Sequence, residues 1–221
     1  VVVWLASYPR SGNTYFRIVA QRVFGLATSE IYAESDLSDE LKSNVGLDRS
    51  ASTDGSPLLL KTHELPSAEA QPAIYLVRDG RDTLVSFAHY VRRYVNPRIG
   101  FEDALSLLVA GTFAGLGFPP GVNWGGWGRH VLAWLEQART VIRFEDLVGR
   151  PVETVGRALA GVGLDVETST RAPTFEELHA AMPEFFRRGQ TGAWKDEMPA
   201  WMQDIFWARH GQAMRALGYE R

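Results

Sequence analysis

The segment Ser7-Tyr8-Pro9-Arg10-Ser11-Gly12-Asn13-Thr14 gathers a guanidinium, hydroxyls and a conformationally free glycine between an apolar run and an amphipathic period. A loop in that position wraps its backbone N–H groups around a phosphate at a helix N-terminus. Arg10 supplies the cation and Pro9 fixes one dihedral. Gly12 lets the backbone approach a ligand closely, Ser11 and Thr14 offer hydroxyls, and Thr14 can begin the helix. Asn13 stands where a Walker A loop carries its Lys, so the spelling does not predict Mg²⁺-dependent ATP hydrolysis.

Two further constellations sit at the ends of apolar runs. Leu58 to Thr62 delivers Lys61, Thr62 and then His63, whose imidazole can serve as a general base. Ala73 to Val77 delivers Arg78, a turn at Asp79-Gly80, and a helix carrying Arg81 and Ser86. Ligands bind at the carboxyl ends of strands in open α/β sheets, and a planar guanidinium suits two phosphate oxygens at once. A late cluster, Arg187-Arg188-Gly189, adds two further guanidinium groups.

The elements that must hold these groups are legible from periodicity. Val1 to Ser7, Leu58 to Thr62, Ala73 to Val77 and Thr140 to Phe144 have the length and makeup of strands buried on both faces, hence a parallel sheet. Helical faces follow at Tyr15, Ile18, Val19, Val23 and Phe24; at Leu84, Phe87, Ala88, Val91 and Val95; and at Trp201, Ile205, Ala208 and Met214. Alternation of this kind predicts a three-layer α/β fold, P-loop-like, with a central parallel sheet flanked by helices. Ser50 to Pro57 and the glycine-rich Gly111 to Gly128 read as loops over a site in one domain spanning residues 1–221.

Bulk properties narrow the partners. A net charge of -3 argues against a nucleic-acid binder, which needs a basic excess, and against an anionic membrane surface. The chain has no cysteine, and its five histidines make no metal-ligand spacing, so thiolate chemistry is excluded and no metal is expected. The opening run Val1 to Ala6 is too short to span a bilayer and lacks the features of a secretory signal, which makes the cytoplasm the expected compartment.

Taken together the motifs resemble those of the soluble sulfotransferases. Tyr8-Pro9-Arg10-Ser11-Gly12-Asn13-Thr14-Tyr15 is similar to the family's Y-P-K-S-G-T-T-W loop, and Lys61-Thr62-His63 to its K-T-H segment. Leu76 to Ser86 resembles its 3'-phosphate segment. Gly126 to Trp134 resembles G-x-W-x-x-H-V-x-x-W, Phe144-Glu145-Asp146-Leu147 resembles Y-E-D-L, and Arg187-Arg188-Gly189 with Trp194-Lys195 resembles R-K-G…W-K. Two departures stand out. Arg10 replaces the usual loop Lys, and Pro199, Ala200 and Asp204 replace the residues of the eukaryotic dimer motif K-x-x-x-T-V-x-x-x-E, so that dimer mode is in doubt and the oligomeric state is left open.

The resemblance implies 3'-phosphoadenosine 5'-phosphosulfate (PAPS) as co-substrate, with its product adenosine 3',5'-bisphosphate (PAP), and transfer of a sulfuryl group to a hydroxyl or amine of a small-molecule acceptor, aromatic or natural-product in type. It implies His63 as base, with Arg10 and Lys61 assisting. Residues 10 to 15 (Arg10, Ser11, Gly12, Asn13, Thr14 and Tyr15), Arg78, Ser86, Phe144, Phe175, Arg187, Arg188 and Gly189 would hold the nucleotide, with Tyr15, Phe144 and Phe175 around the adenine. By composition alone, Phe113, Leu116, Phe118, Trp124 and Trp127 among the glycines read equally as an aromatic wall for the acceptor or as a hinge and core plug. A small-molecule kinase with a degenerate phosphate loop, and a non-catalytic module that binds PAP, are the alternatives.

Overall fold

The computed structural model describes residues 1–32, 45, 56–67, 72–167, 177, 180 and 191–221. Its sheet has five strands: β1 (Val2–Ser7), β2 (Ala27–Glu30), β3 (Leu58–Thr62), β4 (Ala73–Val77) and β5 (Thr140–Arg143). They are ordered β2-β3-β1-β4-β5 and every pairing is parallel. Parallel strands require crossovers, and described helices supply those from β1 to β2 and from β4 to β5, on opposite faces.

Side-chain alternation along each strand sends residues to opposite faces. Val3 and Leu5 of β1 and Ile74 and Leu76 of β4 pack on one face beneath α1 (Asn13–Phe24). Ala6, Tyr75 and Val77 pack on the other, beneath α2 (Gly80–Tyr90), α3 (Phe101–Ala110) and α4 (Trp127–Gln137). A π-helical turn, Val91–Val95, prolongs α2. After β5 come α5 (Phe144–Gly149) and α6 (Pro151–Gly161), the latter begun by a proline whose fixed φ suits a first helical position. The last described helices are α7 (Trp194–Glu197) and α8 (Ala200–Ala216).

The four expected strands form, and a fifth joins them. β2 reads Ala-Thr-Ser-Glu, too polar to register as a buried run, yet it pairs along its whole length with β3. Two expectations are corrected. Phe144 does not end a strand but begins α5, because β5 closes at Arg143. In α8 the buried stripe is Met202, Phe206, His210 and Met214, whereas Trp201 and Ile205 face outward at 53% and 42% exposure. Both stripes obey helical spacing, and packing against Trp127 of α4 selects the one centred on Phe206.

Candidate active site

The carboxyl ends of β1, β3 and β4 converge, as parallel pairing obliges them to, and each carries one of the constellations seen in the sequence. The loop after β1 ends at Gly12, which stands in the left-handed region at φ 99° and opens α1. A Cβ there would lie 2.5 Å from the Phe144 ring, so glycine is required both by φ and by space. Arg10 is also left-handed, at φ 70°, alone among described non-glycine residues. That conformation costs an L-residue roughly 1–2 kcal/mol and has to be held by its surroundings.

Contacts with Arg78, Ser86 and Tyr90 hold it. The Arg10 carbonyl accepts from Arg78 Nη1 at 3.5 Å, Arg10 Nε donates to Ser86 Oγ at 3.4 Å, and its guanidinium lies 5.2 Å from the Tyr90 ring centre. Asn13 Nδ2 donates to the Leu5 carbonyl at 3.1 Å and to Ser7 Oγ at 3.2 Å, so that side chain anchors the loop to β1 and leaves its backbone to a ligand. Ser11 Oγ is buried with no hydrogen-bond partner among the described residues. A buried hydroxyl is normally satisfied, and an orphan inside a phosphate-type loop fits an anion's oxygen.

His63 follows β3. Its Nδ1 lies 2.7 Å from the Ser7 carbonyl oxygen. A carbonyl only accepts, so Nδ1 carries the proton and Nε2 keeps its lone pair. Burial, then the positive charge of Lys61, push the imidazole well below its ordinary pKa, which keeps it neutral near pH 7. The His63 backbone is held just as firmly. Its N–H donates to Tyr32 Oη at 2.7 Å, and its carbonyl accepts from His130 Nε2 at 3.0 Å. With Nε2 donating, His130 Nδ1 accepts from Tyr75 Oη at 2.9 Å. Trp134 Nε1 donates to the next carbonyl, that of Glu64, at 3.0 Å. His130 and Trp134 are one turn apart on α4, so the H-V-x-x-W spacing becomes a clamp on the segment that carries His63.

On the β4 side Arg78 stacks on Phe144, its guanidinium 4.4 Å from the ring centre. Asp79 caps α2 by accepting from Arg81 N at 2.9 Å, and it also binds the Arg81 guanidinium at 2.7 and 3.0 Å. Arg81 is further covered by Trp194 at 3.7 Å, so it serves the local framework while Arg78 and Ser86 face the loop.

Other expected residues are distributed as follows. Thr14 is half-buried at the start of α1, and Tyr15, 4% exposed, belongs to the core under that helix. Phe144 covers Gly12 and Arg78. Lys61 is 7% exposed and close to Glu30. Phe175, Arg187, Arg188, Gly189 and most of the 50–57 loop lie outside the described residues. Of the glycine-rich stretch, Trp127 is wholly buried in the core, and Phe113 and Leu116 are buried too. Of the five aromatic and aliphatic residues expected there, Trp124 lies beside His63, its ring centre 5.6 Å from that of the imidazole. Glu30, Tyr32 and Tyr75 were not singled out by the sequence, and His130 was seen only as part of a motif, because each acts through a partner at least 31 residues away. Among the described residues no group of three or more His, Cys, Asp or Glu could hold a metal ion, and no helix is long and apolar enough to cross a membrane.

The family model described as a sulfotransferase domain matches residues 2–218. The chain belongs to the sulfotransferase family. Bovine Sulfotransferase 1A1 is 26% identical over 194 residues, covering 72% of this chain and 62% of that protein. A WSCD family member of Drosophila melanogaster is 39% identical over 85 residues, covering 37% of this chain and 25% of its own length. The chain therefore spans less than two thirds of each of these two relatives. A crystal structure of mouse sulfotransferase SULT7A1 complexed with PAP superposes with a TM-score of 0.70 at 22% identity, covering 97% of this chain and 84% of that one. Retinol dehydratase, in complex with androsterone and the inactive cofactor PAP, gives 0.65 at 16% identity, covering 100% and 82%. At these identities the structural likeness is one of fold: a central parallel sheet flanked by helices in a P-loop-like arrangement.

Proposed function

We propose that this chain moves a sulfuryl group from PAPS to a hydroxyl or amine of a small-molecule acceptor by in-line displacement, without a metal. His63 Nε2 takes the acceptor's proton as the acceptor oxygen or nitrogen bonds to sulfur and the bond from sulfur to the 5'-phosphate oxygen breaks. PAP leaves with the electron pair of that bond. Arg10 stays protonated throughout, so its part is to offset charge growing on the departing phosphate, and Lys61 holds the sulfuryl oxygens. The loop N–H groups with Ser11 and Thr14 bind the 5' end, and Arg78 and Ser86 bind the 3'-phosphate. Arg187, Arg188 and Gly189 are assigned to the same phosphate, and Phe175 to the adenine, on the family resemblance alone. Trp124 lines the acceptor side beside the base.

The observation that carries this reading is the Nδ1 bond of His63 to the Ser7 carbonyl at 2.7 Å, made beside the phosphate-type loop. It fixes the tautomer a proton acceptor needs. Its setting supports a sulfotransferase over a kinase: the loop cation is Arg10, and no Walker Lys follows Gly12.

Calorimetry of PAP binding tests the donor site. Metal-independent binding that weakens about 10- to 100-fold in Arg78→Ala is expected, the range for a charge-assisted contact. Absence of binding in the wild type, or displacement of PAP by ATP with Mg²⁺, would move the kinase reading ahead.

A further inference from the structure

We infer that Glu30 is a positioning residue for this transfer, its carboxylate fixing the Lys61 ammonium at the sulfuryl group while Arg17 braces the carboxylate from behind. The inference rests on the donor site proposed above and assigns a task to a strand that carries none of the motif residues.

Glu30 is the last residue of β2 and the register partner of Lys61 on β3. Its side chain is 1% exposed, and Oε2 lies 3.3 Å from Lys61 Nζ and 3.6 Å from Arg17 Nη1. Arg17, on α1, is wholly buried. Its Nε donates to Thr28 Oγ1 at 3.0 Å, and that hydroxyl donates to the Val45 carbonyl at 2.6 Å. The brace is thus built from β2 and from the helix that starts at the phosphate loop. Two residues further on, past the ends of both strands, Tyr32 stacks on His63 with ring centres 6.0 Å apart, and Lys61 Nζ lies 5.5 Å from the Tyr32 ring centre.

Burying a carboxylate with two cations is a poor way to stabilise a fold, since desolvation consumes most of the Coulombic gain. It does hold a flexible chain in one place. A lysine has four rotatable bonds and its ammonium otherwise reaches for water. Here its end is caught between a carboxylate and an aromatic face, on the strand that leads to the base. Its charge is near enough to His63 to be the second largest cause of that residue's lowered proton affinity, behind burial.

The affinity of PAPS relative to PAP isolates what touches the sulfuryl group, because the two ligands differ only there. Both are titrated calorimetrically into wild type, Glu30→Gln, Glu30→Asp, Lys61→Met and Glu30→Gln/Lys61→Met. Glu30→Gln should lower the PAPS-to-PAP affinity ratio by about threefold to tenfold, with PAP affinity itself held within about twofold. In the Lys61→Met background the same change should add nothing, as expected of residues that act as a unit. Glu30→Asp, which keeps the charge but shortens its reach, should fall between wild type and Glu30→Gln and carries the test if Glu30→Gln fails to fold. An unchanged ratio, full additivity in the double variant, or PAP and PAPS affinities falling together would overturn the proposal. Wild type binding neither nucleotide would overturn it along with the donor reading, a result distinct from all three.

Discussion

The two sides of the phosphate loop are built by opposite strategies. On the β4 side the framework is organised within a few residues of chain: Asp79 caps α2 and binds Arg81 two positions away, and Ser86 follows within the same helix, with only Arg78 and Ser86 reaching out to Phe144 and Arg10. On the β3 side every functional group is held across the sheet or across layers. Lys61 meets Glu30, His63 meets Ser7, Tyr32 and His130, and each contact joins residues at least 31 apart. The side proposed to hold the nucleotide carries guanidinium groups that stay charged at any accessible pH, whereas the side proposed for transfer carries histidines kept neutral by burial. A binding subsite can be made locally from permanent charge; a base with one free nitrogen needs a tautomer and an orientation, and those come from distant parts of the chain.

The sharpest separation of the two sides is expected from His63→Ala. Loss of the base should lower kcat by about 10²–10⁴-fold, with an acceptor found by screening, while PAP affinity stays within about threefold of wild type. Turnover surviving in that variant would remove the base assignment, and PAP binding lost with it would mean that the two sides are not separable.

Acid should break the transfer side first. His63 is a base only when neutral, and its pKa is lowered, so activity is expected to hold as pH falls through 6.5 and to decline only well below it. Stability follows the same residues. Burial lowers His130 from 6.5 to about 4, so between those values the unfolded chain takes up a proton that the folded chain refuses. The resulting penalty on the folded state is absent above pH 6.5 and grows as pH falls, reaching up to about 3 kcal/mol near pH 4. Asp82, whose carboxyl is raised by burial, works in the opposite direction at the acid end. Urea midpoints at pH 7.5, 6 and 5 should therefore fall in wild type and fall less in His130→Gln. Equal slopes in the two proteins would exclude His130 as the source.

What could be read from the sequence divides along the same line. The loop of residues 7–14 and the Arg78 to Ser86 segment were legible because strand, turn and helix follow one another without interruption. β2 was not, since Ala-Thr-Ser-Glu has neither an apolar run nor a clean alternation, and its place is set by pairing with β3 rather than by its own propensity. With it Glu30 and Tyr32 were missed. His130 and Trp134 stood inside a recognised motif, but the backbone carbonyls of His63 and Glu64 that they bind lie 67 and 70 positions earlier. Trp127 was left between acceptor wall and core plug because composition cannot tell a glycine-rich rim from a plug, and its packing on Phe206 of α8 settles it as core. The outward stripe of Trp201 and Ile205 carries the complementary lesson: two stripes on one helix satisfied the period, and only the packing of α8 on α4 chose between them.

The smallest effect is expected where the two sides touch. Arg10 bridges them, its carbonyl bound by Arg78 and its guanidinium by Ser86 and Tyr90, and it does so in a left-handed conformation unfavourable to any residue with a Cβ. Arg10→Gly removes that strain, roughly 1–2 kcal/mol, and gives back part of the gain as added freedom of the unfolded chain. A net rise in stability of about 0.5–1 kcal/mol is expected in urea titrations, together with a large loss of turnover. If stability instead dropped, the contacts of the side chain would outweigh the backbone strain and Arg10 would be a structural bridge. A more stable and inactive variant would mean that the strained φ is kept for the sake of where the guanidinium stands, which is how a cation comes to face the departing phosphate before any ligand arrives.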